Sequence, residues 1–200
     1  QQMSNAIYGL AKLGANYYSI PKSLCEKITK SLLYGMQFMN DQEVANTIYS
    51  HGIMGVAWSD LPRELHDCMR SAAVRCLGSM ISQGVSNTIY GMSLMGAPWS
   101  NMGIDYQYSA LEAVIKIFGV NQDTKLNGND FNGIADINEA RELNPPAMSQ
   151  GALSNSNSNS NSNRMNYGGT SPQAVANIVY SLGISGAVWD DFPSQVKKAI

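Results

Sequence analysis

Four stretches of the chain follow one residue order: Gln, an apolar residue, Asn, Ile or Val, Tyr, then Gly and an aromatic ring, with a Pro after three of them. They are Gln1-Met3-Asn5-Ile7-Tyr8-Gly14-Tyr17-Pro21, Gln42-Val44-Asn46-Ile48-Tyr49-Gly55-Trp58-Pro62, Gln83-Val85-Asn87-Ile89-Tyr90-Gly96-Trp99 and Gln173-Val175-Asn177-Val179-Tyr180-Gly186-Trp189-Pro193. From Asn5 to Asn46, Asn87 and Asn177 the spacings are 41, 41 and 90, the last being one period plus an insertion. A fixed period of this size marks an array of supersecondary units, each burying its apolar face against its neighbours. The expected fold is all-α, an α-solenoid of helix–turn–helix repeats with a period of about 41. Such an array offers a binding surface rather than a catalytic pocket.

Each unit reads as two helices. In the second copy Val44, Ile48 and His51 or Gly52 fall at helical spacing. Asp41 is the expected cap there, Ser82 leads the third copy, and Ser171-Pro172 sets a cap before a first-turn proline in the fourth. Gly14, Gly55, Gly96 and Gly186 stand where a helix ends in a left-handed residue. Ser19, Asp60, Asn101 or Asp191 then opens the second helix, with stripes such as Leu24-Ile28-Leu32 and Leu65-Met69. The expected spans are 1–13 and 21–38, 41–54 and 61–80, 82–95 and 104–118, 172–185 and 193–200.

The division follows: repeats 1 to 3 over 1–119, an Asn/Ser/Gly-rich insert over 120–171, and the start of a fourth repeat over 172–200. The chain opens and closes inside repeats, as a piece of a longer array would. The insert carries the tract from Ser154-Asn155 to Asn163. Low-complexity polar sequence of this kind buries too little apolar surface to order itself, so disorder is expected, with a short helix near Ile137–Leu143. Asp130, Asn132, Gly133, Asp136 and Glu139 echo part of a calcium loop, but its first position would be Gly128, which has no ligand. A chance match is the better reading, and no metal or cofactor is expected.

Charge narrows the partners. Of 13 basic and 15 acidic residues, Lys125, Arg141, Arg164, Asp123, Asp130, Asp136, Glu139 and Glu142 lie in the insert, leaving 10 of each in the array. A neutral array lacks the broad basic face usual in nucleic-acid binders. No run reaches the roughly 18 apolar residues of a membrane helix. Cys25, Cys68 and Cys76 form no disulfide framework, so packed, reduced thiols of an intracellular protein are expected. No catalytic set is visible: His51 and His66 stand apart from any nucleophile motif, and no glycine-rich phosphate loop occurs. The chain does not read as an enzyme.

Two faces of the first helix separate when the copies are compared. At about 100° per residue, the recurring Gln, Asn and Tyr lie within about 60° of each other. This constant stripe is expected to bond adjacent repeats, each Asn satisfying backbone in the next, with ligand contact as the other reading. The recurrent ring at Tyr17, Trp58, Trp99 and Trp189 is expected to plug the inter-helix junction, with base stacking as its alternative. A second face varies: Gln2, Glu43, Gly84 and Ala174; Ala6, Thr47, Thr88 and Ile178; Gly9, Ser50, Gly91 and Ser181; Leu13, Met54, Met95 and Ser185. Modular RNA readers use such a face to recognise one base per repeat. Unconstrained surface is its bland alternative.

Val44-Ala45-Asn46-Thr47-Ile48-Tyr49 and Val85-Ser86-Asn87-Thr88-Ile89-Tyr90, closing at Gly55 and Gly96, resemble the first helix of octotricopeptide-type repeats. Those are helical-pair repeats of organellar proteins, often joined to a RAP domain. Tyr here stands where that family usually has Trp, and its Pro-rich stretch survives only as remnants such as Trp58 and Leu61-Pro62. The resemblance covers about three quarters of the chain. It implies sequence-specific binding of single-stranded RNA in a mitochondrion or chloroplast, for RNA maturation, stability or translation. It carries the readout onto Glu43, Thr47, Thr88 and Ser181, and Ser50 of the variable face completes the candidate RNA-binding set. The alternative is a protein–protein interaction scaffold on the same fold.

Overall fold

A computed structural model describes residues 1–118, 171–192 and 194–199. Among them every regular element is helical. The helices are α1 (Gln2–Lys12), α2 (Lys22–Gly35), α3 (Asp41–Ile53), α4 (Arg63–Leu77), α5 (Ser82–Leu94), α6 (Ile104–Phe118), α7 (Pro172–Ile184) and α8 (Ser194–Ala199). They match the expected spans to within a few residues. Single 3-10 turns at Tyr17–Ser19, Trp58–Asp60, Trp99–Asn101 and Trp189–Asp191 join the two helices of each pair. The expected insert helix, the calcium-like spacing and Pro193 lie outside the described residues.

The first-helix starts differ from expectation in two copies, and Ser19, Asp60 and Asn101, expected to open the second helices, instead end the 3-10 turns before them. Asn40, not Asp41, caps α3: its side chain accepts from the Glu43 N–H at 3.0 Å, and the Glu43 carboxylate accepts from the Asn40 N–H at 2.9 Å. This reciprocal capping box satisfies two amides that the helix itself leaves free. Ser82 is the first helical residue of α5, behind an Ile81 that makes no side-chain cap. Ser171 caps α7 as expected, accepting from the Ala174 N–H at 3.1 Å ahead of Pro172.

The helix ends repeat closely. Gly55 has φ 75°, and Gly14, Gly96 and Gly186 share that left-handed conformation. Gly55 N–H bonds the Gly52 carbonyl, and Val56 N–H reaches back to the His51 carbonyl. That pair of bonds closes the helix, and a side chain at position 55 would strain it. The turn leaves the carbonyl of Met54 pointing away from its own helix.

A neighbouring pair takes that carbonyl. Tyr17 N–H donates to Met54 O at 2.9 Å, Trp58 N–H to Met95 O at 2.7 Å and Trp99 N–H to Ser185 O at 2.8 Å. At the opposite end of α1 the Ser4 hydroxyl donates to Glu43 O at 3.0 Å. Both ends of α1 therefore meet equivalent ends of α3, so the two helices run in the same direction. Contacts place α1, α3, α5 and α7 side by side in chain order, with α2, α4, α6 and α8 side by side behind them.

Each first helix has four sides. Val44, Ile48 and His51 point into the core between the layers, all fully buried. Ala45 and Gly52 face the following first helix. Thr88 and Gly91 face the preceding one, and Gln83, Asn87 and Tyr90 face out. The α3–α5 approach is close: a Cβ added to Gly52 would come 2.7 Å from the Gly91 carbonyl oxygen, and one added to Gly91 would come 2.7 Å from Tyr49 Cα.

Two predictions follow from this packing. Gly91→Ala forces α3 and α5 apart and should lower unfolding stability in urea by about 1–3 kcal/mol. Gly9→Ala, where nothing lies within 4 Å, should be neutral or slightly stabilising in the same measurement. The second concerns His51, whose ring is buried where other copies hold Leu10, Met92 and Leu182. Burial lowers its pKa, partly opposed by the 2.8 Å bond of Nδ1 to the Thr47 carbonyl. A base with a depressed pKa binds its proton more tightly unfolded, so the fold keeps its full stability above about pH 6.5 and loses it as pH falls. Melting curves from pH 7.5 to 5 should show this loss, and His51→Met should flatten it.

Candidate functional site

The five expected readout residues do not form an exposed face. Thr47, Ser50, Thr88 and Ser181 are 0% exposed. Each lies on the side of its helix that packs against the preceding first helix. Thr88 Oγ1 donates to the Gly84 carbonyl at 2.9 Å, Ser181 Oγ donates to the Asn177 carbonyl, and Thr47 Oγ1 lies 3.7 Å from Met39 Sδ. Ser50 Oγ is buried with no hydrogen-bond partner among the described residues. Glu43 is half-buried and held by its capping box with Asn40. A packed hydroxyl cannot read a base, so the variable face is corrected to an inter-helix seam.

The constant stripe faces outward instead. Gln83 Nε2 donates to Asn87 Oδ1 at 2.8 Å, and Gln173 Nε2 donates to Asn177 Oδ1 at 2.8 Å. Both bonds run along one helix, at the i,i+4 spacing that puts side chains together. The expected bonds from Asn to backbone of the next repeat are not formed there. Beside the Asn row stand the tyrosines. The Tyr49 and Tyr90 rings lie 6.3 Å apart at 37°. Burial raises the Tyr90 hydroxyl pKa, and neighbouring Tyr49 and Tyr180 add to the rise. The three tyrosines hold the same register on the adjacent helices α3, α5 and α7. At the α1 end, Lys12 Nζ sits 5.3 Å over the Tyr8 ring.

The turn aromatics are part of the scaffold to differing degrees. Trp99 is buried and meets Tyr106 edge-on at 6.1 Å, and Trp58 stacks on His66 at 4.1 Å and 10°. Tyr17 is half-buried, while Trp189 remains half exposed. One supporting position was not legible in the sequence. Cys25, His66 and Gln107 recur at the period and bond the Tyr17, Trp58 and Trp99 carbonyls at 3.9, 2.6 and 2.7 Å. Three unlike residues share that role, so only the spacing of 41 signals it.

Charge is divided between the layers. Helices α5 and α7 carry no charged residue, and α1 carries only Lys12. The exposed Lys22, Lys27, Lys30 and Arg63 belong to second helices. Arg75 donates to Met36 O and Met39 O at 3.1 and 2.8 Å, and Lys116 donates to Gly78 O at 2.8 Å. These cations close the carbonyl ends of the preceding unit, where the helix dipole favours positive charge. Arg70 pairs with Asp67 at 3.5 Å. No described helix is long and apolar enough to cross a membrane.

No family model, curated protein or solved structure matches the chain. The first-helix surface is a near-neutral row of Asn and Tyr, one of each per first helix. Because Asn87, among the described residues, bonds only an exposed side chain of its own helix, Asn87→Ala should change unfolding free energy by less than about 0.5 kcal/mol. A loss of about 1–3 kcal/mol in thermal or urea unfolding would show instead that the amide satisfies buried backbone.

Proposed function

We propose that the chain is a non-catalytic α-solenoid of helix–turn–helix repeats that binds single-stranded RNA, acting in the maturation, stability or translation of organellar transcripts. The observation that supports this reading is the outward row Tyr49, Tyr90 and Tyr180 beside Asn46, Asn87 and Asn177. Tyrosine rings stack on bases at about 1–3 kcal/mol per base. An amide offers both a donor and an acceptor to a base edge. Single-stranded RNA exposes those edges and faces. The resemblance to octotricopeptide-type repeats points the same way. The contact residues of this reading differ from those carried over by the resemblance, because the latter are packed between helices.

The electrostatics give the reading a signature. Affinity supplied by stacking and amide bonds, on a layer with almost no cations, falls only shallowly with salt, since few phosphate counterions are released. Fluorescence anisotropy with pooled organellar single-stranded RNA should show such binding. Tyr90→Ala should weaken it about tenfold or more and Tyr90→Phe should nearly preserve it. Wild-type protein that binds none of these RNAs at low salt would sink the proposal.

A protein–protein scaffold is the second reading. It is favoured by one observation: the exposed Lys22, Lys27, Lys30 and Arg63 lie on the second-helix layer, away from the tyrosine row. Lys22, Lys27 and Lys30 outweigh Glu26 on α2, so an acidic protein segment would suit that helix. Binding of such a segment lost in Lys27→Glu with Lys30→Glu, and untouched by Tyr90→Ala, would favour it.

A further inference from the structure

The outward surface carries a third row beside the amides and the tyrosines. Ile53, Leu94 and Ile184 stand seven residues after Asn46, Asn87 and Asn177, and Lys12 holds that place on α1. At about 100° per residue this position lies about 20° from the Asn around the helix. Ile53 is 42% exposed although α1 and α5 pack on either side of its helix, and Leu94 is half-buried between α3 and α7. Along α3 and α5 the outward surface therefore runs Gln, Asn, Tyr and an aliphatic side chain.

The amides are held in one orientation. Gln83 Nε2 donates to Asn87 Oδ1, which directs Asn87 Nδ2 and Gln83 Oε1 to other partners. Gln173 and Asn177 repeat that arrangement on α7. A donor and an acceptor thus stand side by side in the same order from one helix to the next.

A repeat protein that spells out a mixed RNA sequence changes its contact residues from unit to unit. Here the residues that change, such as Thr47, Ser50, Thr88 and Ser181, are packed between helices, while the outward Gln, Asn and Tyr are the same in all four units. Identical contacts select identical bases. The Tyr49 and Tyr90 rings, 6.3 Å apart, are close enough to serve adjacent nucleotides of one extended strand. The kind of base follows from what is left once donor and acceptor are paired. Adenine answers them through N6–H and N1, or through N6–H and N7, and turns C2–H or C8–H to its flank. Uracil and cytosine leave a carbonyl at that flank and guanine leaves an amine. Against Ile53 or Leu94 such a group loses its hydrogen bonds to water without replacement. We propose, resting on the RNA reading above, that this surface recognises a tract of adenines, one base for each helical pair.

Fluorescence anisotropy with oligo(A), oligo(U), oligo(C) and a mixed four-base RNA of equal length tests this. Oligo(A) should bind about tenfold or more tightly than each of the others. Asn87→Ala should weaken oligo(A) and narrow its margin over oligo(U), whereas Tyr90→Ala should weaken every RNA and leave that margin in place. Ile53→Gln puts a donor at the flank and should improve binding of oligo(U). Mixed RNA bound as tightly as oligo(A), or another homopolymer bound more tightly, would overturn the proposal and leave the RNA reading standing. A margin unchanged in Asn87→Ala would overturn it as well. Wild type that binds none of the four RNAs at low salt would overturn the RNA reading and this inference with it.

Discussion

One backbone hydrogen bond sets the register of the first-helix layer. A left-handed glycine turns the chain at the end of a first helix and leaves the last carbonyl of that helix directed at its neighbour. The turn amide of the preceding pair fills it, at 2.7 to 2.9 Å in three successive junctions. An unfilled carbonyl buried in such a seam costs about 1–3 kcal/mol, so slipping one helix along another is penalised at every junction. Ser4 fixes the opposite end of the α1–α3 pair. With both ends held, the helices run in the same direction and their sides acquire fixed roles.

Those roles explain which part of the molecule could be read in advance. Helix positions, the stopping glycines and the pairing of helices were legible because periodicity and φ preference are local properties. The function of each face was not, because identity and size carry different information. Gly9, Ser50, Gly91 and Ser181 differ in chemistry, which made their position look free to vary. They share small volume, and Gly91 shows why: a single Cβ there would meet the Ile48 and Tyr49 backbone at 2.7 to 2.8 Å. Restriction of size without restriction of type is the mark of a close helix contact.

The second layer hides its design more thoroughly. Arg75 and Lys116 share one job, closing the carbonyl end of the helix behind them, and Cys25, His66 and Gln107 share another. Any donor of suitable reach serves in either place, so the residue type drifts while the geometry persists. The seven-letter pattern that recurs so plainly in the first helices has no counterpart there. The second helices carry most of the exposed charge, and solvated charge can change from unit to unit at little cost.

The outward stripe then stands as the feature that packing explains least. Gln83 and Asn87 bond each other in solvent, and a side-chain pair of this kind on a helix surface is worth only about 0.2–0.5 kcal/mol. Thr, Ser or Lys at those sites would fold as well. Tyrosine is a stronger case for mixed duty, since Tyr49 and Tyr90 rest on one another and are half-buried. Yet the amide recurs in all four units beside the ring. A row of identical donors, acceptors and flat rings at one per unit fits a polymeric ligand whose own units repeat. Single-stranded RNA presents that repetition in its bases, whereas a folded protein partner presents it rarely.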